Sequence, residues 1–491
     1  MNTNMSTDMS TDMNTDIRFL IVAFDGLRPD MVDDGLMPNL SAFFRQGSHC
    51  LDNRAVFPTE TRVNQSSLVT GCHPGRHGMV GNKFLEPAAG GFLNTGDFDA
   101  LRAADEKTGG VLTAPSMGEI LHQAGLELSV VGCGTAGGNR ILHHRAEAQG
   151  NLNLSLHGLD KSTTPDAGAD VVRALRPIPK AELPNKAQID WVVDSYMEVV
   201  APQRDPTVAI LWFSDPDTPY HYRGIESPEA ADAIRHTDAA FGRLLQWRAD
   251  TGRADSLQII AMSDHGHVAT HGEATKLIDG FTQAGFDMAA NILIPGTFGA
   301  LYVRDRAEQL QQVSWLQSQT WCGPIFARDL GGLPPGTLPL AAANCDHRRS
   351  GDIVFVLARD DVAPNGGLPG RCLHDNLEIP IGCGLHGGLS PYEVSSVLAF
   401  SGSLFSKGTT VSAPTGIIDI LPTILHALQI KGPDMDGRIL HETMNGPAPA
   451  GARQTDSAAT VNGYGQTLDY DEVDGHRYLA HGQRTDAPPL P

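Results

Sequence analysis

Residues 17–30 read IRFLIVAFDGLRPD: an apolar run, interrupted only by Arg18, that stops at Asp25 and breaks into a turn. A stretch with no polar alternation suits a strand buried on both faces, so it predicts a central parallel strand that delivers a carboxylate at its C-terminal end. The same grammar recurs. VAILWFSDPD (208–217) and SLQIIAMSDHGH (256–267) are each an apolar run followed at once by Asp-containing polar residues, and LELSVVGCG (126–134) ends in glycines. Between them, PSMGEILHQAG (115–125) and EAADAIRHTDAAFGRLLQWR (229–248) repeat apolar residues at three and four, the helical spacing. Strand and helix alternate, which predicts an α/β fold: a mostly parallel central sheet with helices on both faces. In such sheets, groups at the carboxyl ends of the strands converge on one crevice.

The 491 residues contain 36 Lys plus Arg against 57 Asp plus Glu, a net charge of −21. That balance argues against nucleic-acid polymers and anionic membranes as partners, and leaves a small anionic substrate drawn to a metal-charged pocket. No apolar run approaches the ~20 residues of a membrane span. Seven Cys without a CxxC pair predict reduced, buried thiols rather than a disulfide framework or a thiolate zinc site. The N-terminal MNTNMSTDMSTDMNTD lacks a basic start, and the apolar run behind it is too short for a secretory signal, so a cytoplasmic location is the expectation. Homo-oligomerisation is left open.

The expected organisation is a disordered N-terminal tail (1–16), a catalytic core (17–272 and 376–445), an inserted α+β cap subdomain (273–375) and a loosely held C-terminal tail (446–491). The insertion is placed where the pattern loosens into Gly, Pro and scattered aromatics, with strand-like runs at 300–303 and 353–358. The helix GIIDILPTILHALQI (416–430) closes the core, and NGPAPAGARQ begins the tail.

Four separated segments offer oxygen or imidazole ligands: Asp25, then Asp217 with His221, then Asp264 with His265, then His386. Three Asp and three His, with no Cys among them, are the mixed ligands that suit zinc or manganese, and six are enough for two ions sharing a site. A second ingredient is VFPTETRVNQSSLVTGCHPGRHGMVGN (56–82), which places a Thr near the first turn of a helix beginning at about Asn64. There, free N–H groups and the helix dipole favour an anion.

Taken in order, strand-Asp, PTxTxxN…TGxxPxxHGxxxN, DxxxH, SDHG, HGG and DIxPTxL…DGR, these segments resemble the alkaline phosphatase superfamily and, within it, the nucleotide pyrophosphatase/phosphodiesterase branch. The likeness covers residues 17–271 and 380–442. It implies an alkaline-phosphatase-like fold, a phosphodiesterase or pyrophosphatase acting on a small phosphodiester or phosphoanhydride, and a phosphothreonine intermediate on Thr61. It also implies one metal held by Asp217, His221 and His386, and another held by Asp25, Asp264, His265 and the Thr61 oxygen. Zinc is the expected ion, with manganese or iron as alternatives. Asn82 matches the amide that holds a phosphoryl oxygen. The chemistry is consistent with this, because a Thr hydroxyl is a poor nucleophile near neutral pH and a divalent cation populates its alkoxide without a neighbouring base.

The sequence also departs from that pattern. Arg62 stands where nucleotide-cleaving members usually carry an aromatic that stacks on a base, and its guanidinium suits a second anionic group on the substrate. Glu60 stands where Lys is common, and Tyr220 and Tyr222 flank His221 as candidate pocket residues. His386 with Glu393 seven residues beyond also looks like phosphonoacetate hydrolases, which break a C–P bond; this is the main alternative. A non-catalytic metal-binding protein on the same scaffold is the remaining class. His267 and His271 extend the SDHG segment and are read as supporting or solvent-facing residues.

Overall fold

The computed structural model describes residues 16–364, 366–375, 378–486 and 490. Apart from Asp16, the expected N-terminal tail lies outside the described residues. At the centre is an eight-stranded sheet built, in chain order, from β1 Arg18–Phe24, β2 Ser48–Cys50, β3 Leu128–Gly132, β4 Asn153–Ser155, β5 Val208–Phe213, β6 Leu257–Met262, β7 Leu398–Ser401 and β8 Thr409–Val411. Across the sheet the order is β8-β2-β7-β6-β1-β5-β3-β4. The five strands from β6 to β4 run parallel, and β7 joins β6 antiparallel.

Strand β1 shows why an uninterrupted apolar run was needed. Leu20, Val22 and Phe24 face the helices Lys186–Ser195 and Pro228–Asp250, whereas Phe19, Ile21 and Ala23 face the helices Thr61–Thr70 and Ile420–Ala427. Alternate side chains of an extended chain point to opposite faces, and here both faces are covered. Each large apolar side chain so buried contributes about 1.5–3 kcal/mol. The chain builds β3, β4 and β5 on one side of β1 and then crosses to place β6 on the other. Such a reversal opens a crevice at the carboxyl ends, where Asp25, Asp217 and Asp264 all emerge.

The insertion carries its own five-stranded sheet, in the order Ile292–Ile294, Phe298–Tyr302, Ile353–Leu357, Cys322–Ala327, Leu338–Pro339, with the helix Arg306–Ser318. The segment after residue 445 differs from expectation. Gly451–Ser457, Gln466–Val473 and His476–Arg484 pair as an antiparallel meander. Its apolar residues are divided between partners: Val473 and Tyr478 enter the main core, Leu468 and Leu479 join the insertion's core. The Gln466 amide closes the attachment, accepting from Ile325 N at 2.6 Å and donating to Ile325 O at 2.9 Å. Alternating apolar residues hold this segment in place, a pattern masked in the sequence by the Gly, Pro and Ala that lead into it.

All seven cysteines are buried and unpaired. Among the described residues, no helix is long and apolar enough to cross a membrane.

Candidate active site

Asp217 begins the helix Asp217–Arg223 just after β5, so His221, four residues on, returns to the same face. The His221 Nε2 lies 3.2 Å from Asp217 Oδ1, and the Nε2 atoms of His267 and His386 lie 3.1 and 3.4 Å from the same oxygen. Each ring has its other nitrogen against a backbone carbonyl: His221 Nδ1 at 2.8 Å from Gly384 O, His386 Nδ1 at 2.8 Å from Thr59 O, His267 Nδ1 at 3.2 Å from Gly26 O. A carbonyl accepts, so each Nδ1 carries the proton and each Nε2 turns its lone pair inward, the arrangement typical of metal-binding imidazoles.

Thr61 is the first residue of the helix Thr61–Thr70, which ends at Gly71 in the left-handed conformation (φ 64°). The helix thus starts three residues earlier than the hydroxyl-rich sequence indicated, and Thr61 occupies its free N-terminus. Thr61 Oγ1 lies 3.1 Å from His265 Nε2 and 3.5 Å from Asp25 Oδ1. His265 Nε2 lies 3.2 Å from Asp264 Oδ2 and 3.7 Å from Asp25 Oδ1. The carboxylates are themselves oriented: Trp212 Nε1 donates to Asp25 Oδ2 at 2.9 Å, and Gly26 N donates to Asp264 Oδ1 at 3.0 Å. Ligand atoms of Asp25, Asp264 and His265 lie within 4.8 Å of one another, as do those of Asp217, His265, His267 and His386. His265 stacks on His386, with ring centroids 3.7 Å apart, so the two groups adjoin.

These residues fit a cation. Asp217 Oδ1, Asp264 Oδ2 and His267 Nε2 are buried without a hydrogen bond of acceptable geometry, which is costly unless another charge meets them. Desolvation, with the charges of Asp264 and Asp217, holds the Asp25 carboxyl well above the usual range, and desolvation pushes Asp264 up to about 7. Desolvation keeps His265 neutral and therefore available as a ligand. Buried acids crowded together gain most from a positive charge placed among them.

Beside this cluster a cavity of about 200 Å³ is lined by Glu60, Arg62, Asn82, Lys83, His221, His386 and the insertion segment Ile294–Phe298. Thr297 Oγ1 donates to His386 O at 2.7 Å, tying that wall to the ligand segment. Arg62 N donates to Asn82 Oδ1 at 3.2 Å, which leaves the Asn82 Nδ2 hydrogens for another acceptor. The Arg62 amide is therefore spent on aiming Asn82. Arg62 Nε donates to Thr95 Oγ1 at 3.3 Å, and its guanidinium forms no ion pair among the described residues.

Two candidate contacts resolve differently. Tyr220 is fully buried, its ring edge against His267 and its hydroxyl 2.9 Å from Met31 Sδ, so it packs beneath the site and does not line the pocket. Glu393 accepts from the amides of Gly388 and Ser390 and shapes the turn after His386. His267, read from the sequence as a supporting or solvent-facing residue, is buried in the cluster against Asp217. The available signal was its place two residues after His265, which in extended chain returns to the same side.

Comparison with known proteins agrees with the architecture. The family model described as type I phosphodiesterase / nucleotide pyrophosphatase matches residues 19–365. Ectonucleotide pyrophosphatase/phosphodiesterase family member 7 of Mus musculus is 24% identical over 294 residues, covering 59% of this chain and 59% of that protein. A venom phosphodiesterase of Macrovipera lebetinus is 24% identical over 254 residues, covering 50% of this chain and 25% of that protein. The chain thus spans between a quarter and three-fifths of these curated relatives. The solved structure of murine ectonucleotide pyrophosphatase/phosphodiesterase 5 superposes with a TM-score of 0.61 at 17% identity, covering 86% of this chain and 97% of that one. That likeness shows the fold.

Proposed function

The chain belongs to the type I phosphodiesterase / nucleotide pyrophosphatase family, and from that premise we propose that it hydrolyses a small phosphodiester or phosphoanhydride through a phosphothreonine intermediate on Thr61. The observation that carries this reading is the meeting of Thr61 Oγ1 with His265 and Asp25 at 3.1 and 3.5 Å, on the free N-terminus of a ten-residue helix. Asp217, His221 and His386 would hold one divalent cation, and Asp25, Asp264, His265 and the Thr61 oxygen the other; zinc is favoured, with manganese or iron able to replace it. When bound, such ions supply Lewis-acid chemistry, lowering the pKa of a hydroxyl and offsetting charge on phosphoryl oxygens.

The protein's own groups do the rest. Thr61 Oγ attacks phosphorus as the bond from phosphorus to the departing ester oxygen breaks, and that oxygen takes up a proton as it leaves. Water then cleaves the Thr61 phosphoester, returning the hydroxyl and releasing phosphate monoester. Asn82 Nδ2 donates to a non-bridging oxygen, and the helix dipole favours the negative charge. Arg62, with Lys83 beside it on the cavity wall, binds a second anionic group of the substrate.

Intact-mass measurement of acid-quenched enzyme and substrate should find a phosphoryl-containing adduct on the peptide containing Thr61. Full activity in Thr61→Ala would overturn the assignment. Hydrolysis of bis-p-nitrophenyl phosphate that vanishes with a chelator and returns with zinc or manganese would support the cation requirement.

A further inference from the structure

We infer that His267 is a fourth protein ligand of the cation held at Asp217, making that site Asp217, His221, His267 and His386. The inference rests on the two-cation reading above and goes beyond the three ligands that the family resemblance implies for that ion. His267 is fully buried, and its Nε2 is as close to Asp217 Oδ1, at 3.1 Å, as the Nε2 atoms of His221 and His386 at 3.2 and 3.4 Å. Three imidazoles thus converge on one carboxylate oxygen.

The tautomer decides what that convergence means. Gly26 O accepts from His267 Nδ1 at 3.2 Å, which places the proton on Nδ1 and leaves a lone pair on Nε2. Neither His267 Nε2 nor Asp217 Oδ1 has a hydrogen bond of acceptable geometry. Two lone pairs facing each other at this distance repel, and a cation accepting both turns the repulsion into two bonds.

The ring cannot swing away to relieve it. A Cβ on Gly26 would come within 2.5 Å of His267 Cε1, and one on Gly384 within 3.1 Å of His267 Cδ2, so the backbone closes on the imidazole from two sides. Gly26 also sits at φ +72°, which glycine tolerates. The Tyr220 ring covers a further edge at 5.0 Å between centroids.

A fourth protein ligand changes the character of the ion. Catalytic zinc sites commonly keep three protein ligands and one open position, so a fourth ligand plus a substrate oxygen calls for five-fold or higher coordination. That demand makes manganese or iron, ions at ease with five or six ligands, better able to replace zinc at this position than at the other.

The test uses the apoprotein reconstituted with Co2+. In the proton NMR spectrum each metal-bound imidazole should give one strongly shifted, exchangeable Nδ1–H signal, and with both sites filled four are expected: His221, His267, His386 and His265. His267→Gln should remove one signal and weaken Co2+ binding at the Asp217 site at least about tenfold by calorimetry. Two bound Co2+ ions with only three such signals in the unaltered protein would overturn the inference alone, whether or not the variant folds. Unchanged affinity in a folded His267→Gln would do the same. Failure to bind Co2+ at all would overturn the two-cation reading together with this one.

Discussion

Replacing Arg62 by Ala perturbs the reaction in a substrate-dependent way. The guanidinium is tethered through Nε to Thr95 and lines the cavity beside the Asp/His cluster, with no ion pair among the described residues. A guanidinium that forms no direct ion pair is poised to accept one from the substrate. One charge-assisted contact is worth about 1.5–3 kcal/mol, which at ~1.36 kcal/mol per decade corresponds to roughly 10–150-fold. The assay compares kcat/KM for bis-p-nitrophenyl phosphate, a single anion, with that for a dinucleotide polyphosphate, which carries several. The ratio between the two should fall by at least about tenfold in Arg62→Ala, and Arg62→Lys should recover part of it, since a point charge replaces a paired donor. Adding phosphonoacetate to the panel measures the C–P alternative under the same conditions. A uniform loss on every substrate would refute the reasoning and make Arg62 a support for Asn82 and the helix start.

Thr61→Ala should lower turnover at least about 10³-fold and abolish the phosphoryl adduct, whereas Thr61→Ser should keep the adduct; quench-flow with mass detection separates them. Chelation should lower the melting temperature, and adding back metal at ~100 times its Kd should restore about 2.7 kcal/mol, read by thermal shift. His143 is buried, and desolvation lowers its pKa to about 3, so the folded state excludes a proton that the unfolded chain binds. Its contribution is present above the unfolded pKa of ~6.5 and is lost as pH falls toward about 3; going from pH 7 to pH 5 should cost about 2 kcal/mol. Urea titrations at the two pH values should show a smaller difference in His143→Gln, and an equal difference would refute the assignment. Gln466→Ala strips partners from both backbone groups of Ile325 and should destabilise the protein by at least about 2 kcal/mol in urea.

The fold was readable because its central strands are buried on both faces, and a run such as Phe19–Phe24 leaves no other use for six apolar residues in succession. The insertion's strands at Phe298–Tyr302 and Ile353–Leu357 were visible for the same reason. The C-terminal meander was not. In QTLDYDEV the apolar positions alternate with polar ones, of which Glu472 is exposed but Asp471 is itself buried, and a half-buried strand of this kind is legible only when its partner surface is known. Arg54 meets Asp471, and Tyr478 donates to Asp419, only after the chain has returned from the insertion, contacts with no local trace.

The site divides along the same physical line. Carboxylates that follow directly from strand ends, Asp25, Asp217 and Asp264, could be placed at the crevice from sequence because chain direction alone aims them there. Residues whose role depends on what stands opposite could not. Tyr220 precedes His221, yet on a helix neighbouring residues point about 100° apart, so His221 enters the cavity while Tyr220 turns inward beneath His267. Asn82 gains its orientation only from the amide of Arg62, twenty residues earlier. Glu60 illustrates the consequence for specificity. Desolvation raises its pKa, Asn82 N donates to it, and it shares the cavity wall with Arg62 and Lys83. An anionic substrate must therefore approach past a carboxylate as well as two cations. That arrangement selects for where the second negative charge sits along the substrate, and it makes total substrate charge a poor guide to turnover.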